Sequence, residues 1–233
     1  VTEGVTLRLR SLRWTEIDRP DLLLVPVGSL EQHGPHLPLD TDTRVAAAVA
    51  DAAAEEIRGL LAPPVGYGAS GEHEDFPGTI SIGTATLRAM LVEYGRSACR
   101  WADRLLLVNA HGGNIGALVG AVQLLRYEGR DAAWWPCVTR TGDAHAGRTE
   151  TSLMLHVDPA VVRAGAEPGN TQPLAELMPA LRTHGVRALS PNGVLGDPTG
   201  ASAAEGELLL DEMATGLVEA VRRWTPDERG RLV

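Results

Sequence analysis

The sequence predicts an α/β protein organised on a mostly parallel sheet. Three observations predict it. Residues 22–28, 105–109 and 132–138 are short, nearly continuous apolar runs, the pattern of strands buried on both faces. Stretches of helical composition alternate with them, which places helices over the two faces. The Pro- and Gly-rich stretches, 63–83 and 165–173, read as loops inside one unit, with no repeat and no linker. The expectation is a single domain over 1–233, with its core over about 22–224.

Taken in order, residues 22–28 form the first strand. Residues 43–58, rich in Ala with interspersed acids, predict a helix with Asp42 or Thr43 near its N-cap. Residues 61–65 predict a short second strand. Residues 84–101 predict a helix with Leu87, Leu91 and Tyr94 on one face. The strand at 105–109 leads into a helix over 115–127. The strand at 132–138 is followed by a short helix over 149–156. Residues 186–189 predict a late strand, and 201–224 a long closing helix. Ligands of such sheets bind just beyond the carboxyl ends of the strands. The crowded His and carboxylate residues fall there.

Composition removes several function classes. Acidic residues outnumber basic ones, 30 to 21, so nucleic acid is an unsuitable partner. Every basic residue is Arg, which excludes a Lys Schiff base, a pyridoxal-phosphate Lys and a Walker-type phosphate loop. Cys99 and Cys137 are far apart and support neither a disulfide framework nor a zinc knuckle; Cys137 reads as a small core residue. No apolar run approaches the roughly 20 residues that span a bilayer. The N-terminal stretch, with Glu3, Arg8, Arg10 and Arg13, lacks the apolar core of a signal peptide, so no membrane association and a cytoplasmic location are expected.

The chemistry concentrates in four clusters. The first places Glu31, His33, His36, Asp40 and Asp42 directly after the first strand. Carboxylate oxygen and neutral imidazole nitrogen are ordinary ligands of divalent metals. In an extended segment Glu31 and His33 point to the same side and can grip one metal or two adjacent ones. Asp42 reads equally as an N-cap or a ligand, with Asp40 as the alternative. The second cluster is Asn109-Ala-His111-Gly112-Gly113-Asn114, where two glycines permit a tight turn and a helix N-terminus favours a developing oxyanion. The third runs from Asp143 through His145 to Ser152. Glu150 is either a dipole-complementing acid or part of a capping box, or a ligand. His145 suits a proton shuttle. The fourth spans 71–79 around His73, which reads equally as a solvated acidic loop or a substrate-facing loop over the metal site. Trp134 and Trp135 read as core, and His156 and His184 as surface or structural residues.

Three motifs in this order, Glu31-Gln-His33-Gly-Pro-His36-Leu-Pro-Leu-x-Thr-Asp42, His111-Gly-Gly-Asn114 and His145-Ala-Gly-x-x-Glu150-Thr-Ser152, resemble the creatininase family of metal-dependent amidohydrolases. The resemblance runs from about residue 22 to residue 224. Within the family the chain most resembles the peptidase branch of the mycofactocin system, through stretches such as Tyr67-Gly-Ala-Ser-Gly-Glu-His73 and Gly193-Val-Leu-Gly-Asp-Pro198. The resemblance implies a three-layer αβα fold and a homo-oligomer, a hexamer or larger. It implies two divalent ions per subunit, Zn2+ or Fe2+ with Mn2+ possible, bridged by Asp42. Glu31 and His111 would complete one position, His33 and Glu150 the other. Creatininase itself carries a ligand Glu where this chain has Gly113; Glu150 is the natural replacement, and creatinine is a poor candidate substrate. His145 would be catalytic, and His36, His73, Gly112, Gly113 and Asn114 would support the site or the substrate. The implied reaction is hydrolysis of a modified precursor peptide, releasing its C-terminal Val–Tyr-derived unit. The alternatives are a family activity on a small cyclic amide or formamide, and a non-catalytic metal-binding α/β protein.

Overall fold

The structure is a computed structural model and describes residues 7–140 and 142–233. The N-terminal reading that used Glu3 lies outside the described residues. Among the described residues no helix is long and apolar enough to cross a membrane.

Four parallel strands form the sheet: β1 (Leu22–Val27), β2 (Leu60–Leu61), β3 (Arg104–Asn109) and β4 (Asp131–Pro136), in the order β2-β1-β3-β4. The register pairs Leu24 with Leu106 and Leu106 with Ala133. Strand side chains alternate between faces. Leu22, Leu24, Leu106, Val108, Ala133 and Trp135 therefore pack on one side; Leu23, Val25, Leu105, Leu107, Ala132 and Trp134 pack on the other. Every strand is apolar on both faces because helices cover both.

On the first face lie α1 (Thr41–Ile57), α4 (Arg148–Val157) and α6 (Ala203–Arg223), through Val45, Val49, Met154, Leu217 and Val221. On the second lie α2 (Thr84–Ala98) and α3 (Ile115–Tyr127), through Leu87, Leu91, Leu118 and Leu125. The result is the expected three-layer αβα arrangement. From β1 the chain steps outward to β2, then crosses back to β3 on the other side of β1. The connections after β1 and β3 thus diverge at neighbouring strand ends, which opens a crevice between them.

The sequence reading needs two corrections. Residues 186–189 are not a strand. They are the last turn of α5 (Leu174–Leu189), which is broken at Gly185 (φ 71°, ψ 178°) and contains Pro179. Those two helix breakers hide the helical spacing of Leu177, Leu181 and Val186, which bury a small satellite core with Leu195. The second correction is the start of α1. It begins at Thr41, with Asp40 at the cap position, so Asp42 lies inside the first turn and does not cap it.

Candidate metal centre

Gly28, just past β1, is where the site begins. A Cβ there would lie 2.4 Å from the Thr43 backbone nitrogen, so only glycine lets the first turn of α1 lie against the strand end. That contact brings Asp42 beside the 29–33 loop. Ser29 Oγ lies 2.6 Å from Glu31 Oε2 and 2.7 Å from Asp42 Oδ2. β3, the neighbour of β1, delivers His111, whose Nδ1 lies 3.2 Å from Glu31 Oε2 and 3.4 Å from Asp42 Oδ2. The other Asp42 oxygen faces His33 Nε2 at 3.2 Å. Glu150, from the first turn of α4, places Oε2 3.9 Å from the same nitrogen.

The two imidazoles are oriented by the backbone. His33 Nδ1 lies 3.1 Å from the Glu31 carbonyl and His111 Nε2 lies 3.2 Å from the Ala69 carbonyl. A carbonyl only accepts, so each of those nitrogens donates and the opposite nitrogen faces the carboxylates. Glu150 is likewise free to face the site. Asp143 takes over the capping of α4, its carboxylate accepting from the N–H groups of Arg148 and Thr149, the latter at 3.1 Å. Ala146 turns through a left-handed conformation (φ 52°) and donates its N–H to Glu150 Oε2 at 2.6 Å.

Electrostatics shows what this arrangement lacks. Burial opposes charge on His33 and His111, yet Asp42 beside the first and Glu31 beside the second push both up to about 10. Burial also opposes charge on Glu31, but the His111 imidazole, helped by His73 and His33, holds its carboxyl well below the usual range. Burial pushes Glu150 up to about 7. Glu31 Oε1 is buried without a hydrogen-bond partner. Ser29 has one hydroxyl hydrogen for two carboxylates. Each of these observations asks for positive charge in the cluster. Protons on His33 and His111 stand where divalent cations fit, with an all-oxygen-and-imidazole donor set. Ligand atoms of Glu31, Asp42 and His111 lie within 4.8 Å of one another, as do those of His33, His145 and Glu150, and of Glu31, His73 and His145.

His145 and His73 sit against this cluster. His145 Nε2 lies 2.8 Å from the Gln32 carbonyl and therefore donates to it, leaving Nδ1 for the site. Burial, with His33 and His73 nearby, pushes its pKa well below the usual imidazole value. His73 is buried, not solvated: its Nε2 is 3.3 Å from Glu31 Oε1, and burial pushes it down to about 4. It packs beside the carboxylates at the metal site, so the solvated-loop reading does not hold. The Gln32 amide ties His73 Nδ1 (2.9 Å) to the Gly193 carbonyl (3.0 Å).

The remaining expected residues are mostly scaffold. His36 reaches Thr151 Oγ1 at 2.9 Å and links the first loop to α4. Asn114 donates to Gly28 O and accepts from Ala69 N, both at 2.9 Å, and so clasps the loops after β1 and β2 to its own. Gly112 has open space at its Cβ position and no positive φ, so the turn does not require it. Gly113 does require glycine, because a Cβ there would meet the Ala69 carbonyl at 2.3 Å. Ser29, Gln32, Glu72 and Asp143 were missed as site residues. Ser29 and Gln32 lie beside Glu31, and Glu72 and Asp143 fall within the fourth and third clusters, which was the available signal; what each does is set by its three-dimensional contacts.

The creatininase family model, described as creatinine amidohydrolase, matches residues 10–221. The chain is 59% identical over 218 residues to the mycofactocin precursor peptide peptidase of Mycolicibacterium smegmatis, covering 91% of this chain and 88% of that protein. It is 32% identical to the creatinine amidohydrolase of Pseudomonas putida over 88% of this chain and 90% of that one. Among solved structures, a creatininase mutant of Zn-Zn type superposes with a TM-score of 0.77 at 28% identity, covering 96% of this chain and 100% of that one. A creatininase with Mn does so at 0.75, with the same identity and coverage.

Proposed function

The chain belongs to the creatininase family, and on that premise we propose that it is the hydrolase that cleaves the mycofactocin precursor peptide. The family is metal-dependent, and its members hydrolyse amide bonds. The 59% identity over most of both chains carries the choice of peptide over creatinine, since the creatinine-cleaving relative stands at 32%. In this reading the bond cut is an amide that releases the modified C-terminal Val–Tyr-derived unit.

The reading includes two divalent ions per subunit, zinc or iron(II) with manganese accepted. Glu31, Asp42 and His111 would hold one, and His33, Asp42 and Glu150 the other. Such ions supply Lewis acidity to a carbonyl and to water. His145, neutral and held by the Gln32 carbonyl through Nε2, takes at Nδ1 the proton that the attacking water gives up and passes it to the leaving nitrogen. The reading also takes 1–233 as one domain, a cytoplasmic setting and a homo-oligomer of six or more.

The test is mass spectrometry of the modified precursor before and after adding the metal-loaded protein, with creatinine and a formamide in parallel. A C-terminal fragment of the precursor is expected. Turnover of a small amide with the precursor left intact would replace this reading with the small-amide alternative.

A further inference from the structure

Glu72 is a carboxylate at the site that the proposed ligand set does not use. It lies in the single turn Gly71–His73, within the loop between β2 and α2. Its Oε1 is 3.6 Å from His111 Nε2, the nitrogen that also lies 3.2 Å from the Ala69 carbonyl. The Ala69 carbonyl can only accept, so Nε2 carries the hydrogen. Nδ1, facing Glu31 Oε2 and Asp42 Oδ2, is then the nitrogen left for a cation.

Gly113 is what makes room for this arrangement. A Cβ at that position would stand 2.7 Å from Glu72 Oε1, 2.4 Å from His111 Nε2 and 2.3 Å from the Ala69 carbonyl. The missing side chain is therefore the space in which the three groups meet. Glu72 has no Arg partner among the described residues, and the charged atom nearest in the described ion pairs is His111 Nε2.

We infer that Glu72 is a positioning residue for His111: its charge behind Nε2 reinforces the orientation that the Ala69 carbonyl gives the ring, with Nδ1 turned to Glu31 and Asp42, and strengthens that nitrogen as a donor to a divalent cation. This rests on the metal-centre reading above. A carboxylate behind a ligating imidazole fixes the ring's tautomer and raises its basicity. Because Gly113 has no side chain, Glu72 comes within 3.6 Å of that nitrogen from a separate loop, so the 71–73 turn and the His111 segment after β3 are set together.

The experiment measures Zn2+ affinity of the metal-stripped full chain by competition with a chromophoric chelator. It compares the wild type with Glu72→Ala, Glu72→Gln and His111→Ala, with circular dichroism of each metal-free protein. Glu72→Ala is expected to bind about 10–100-fold more weakly with an unchanged metal-free spectrum. Glu72→Gln, which keeps an accepting oxygen, should recover part of that loss. Affinity of Glu72→Ala within about twofold of wild type would overturn the inference, as would a loss that Gln does not relieve. A wild-type chain that binds no zinc would instead overturn the metal-centre reading itself, whereas wild-type binding that His111→Ala abolishes and Glu72→Ala leaves intact overturns only the role of Glu72.

Discussion

Gly206 of α6 packs directly on the main-chain oxygen of Ser152 in α4: a Cβ on Gly206 would lie 1.9 Å from it. The Ser152 hydroxyl adds to the contact, donating to Glu205 Oε2 at 3.0 Å and accepting from Ser202 N at 3.2 Å. Ser152 is two residues from Glu150. The last helix of the chain therefore sets how far Glu150 reaches toward His33.

Gly206→Ala forces α4 and α6 apart at that point. Overpacking of this kind costs about 1–3 kcal/mol. Urea unfolding of the metal-free protein should show a lower midpoint, and metal binding should weaken as Glu150 withdraws. A midpoint equal to that of the wild type would show that the helices do not approach as closely as described.

His111 and His145 should separate when each is replaced by Ala. His111→Ala removes a group that faces both Glu31 and Asp42, so metal content and hydrolysis are both lost. His145→Ala leaves those three residues intact; it should keep most of the metal and lose about 10²–10⁴-fold in rate, the usual worth of a positioned proton-transfer group. Metal analysis beside the rate distinguishes the two. Stoichiometric loss of metal from His145→Ala would make His145 a ligand, a role that its nearness to His33 and Glu150 permits.

Stability of the metal-free protein should fall as pH rises from about 7 to 10. His33 and His111 are raised from 6.5 to about 10 in the fold. A raised pKa means that the folded state binds the proton more tightly, so the stabilisation is complete below 6.5 and is lost as pH rises through the folded value. Glu150, raised from 4.5 to about 7, adds a loss in the same direction that is complete near neutrality. His73, lowered to about 4, and His145, also lowered, act oppositely but below 6.5. Divalent metal replaces the two histidine protons, so the loaded protein should lose this alkaline slope and metal affinity should rise with pH. Thermal melts with and without chelator across this range check both. Parallel slopes would mean that the cation does not take the place of those protons.

Much of the architecture was legible in sequence because the buried strands are apolar on both faces. Continuous runs such as Leu22–Val27 and Arg104–Asn109 need no partner information to be read as strands. The helix at 174–189 was not legible, because Pro179 and Gly185 interrupt its spacing and its apolar face covers only a satellite core. Residue types in the site were legible because Glu31, His33 and His111 crowd at strand ends as metal-type donors, whereas Asp42 read equally as an N-cap until the start of α1 was seen.

The sequence by itself determined the layer order, the parallel sheet, the family motifs and the chemical class of ligand, since these follow from local hydrophobic pattern and donor type. Only the tertiary structure decided how the donors are used. Asp42 faces two imidazoles because Gly28 admits α1 to the strand end. Glu150 is free because Asp143 caps its helix. Glu72 reaches His111 because Gly113 has no side chain. Each is a contact between segments distant in sequence, set by how closely backbones can approach, and no local pattern encodes that distance.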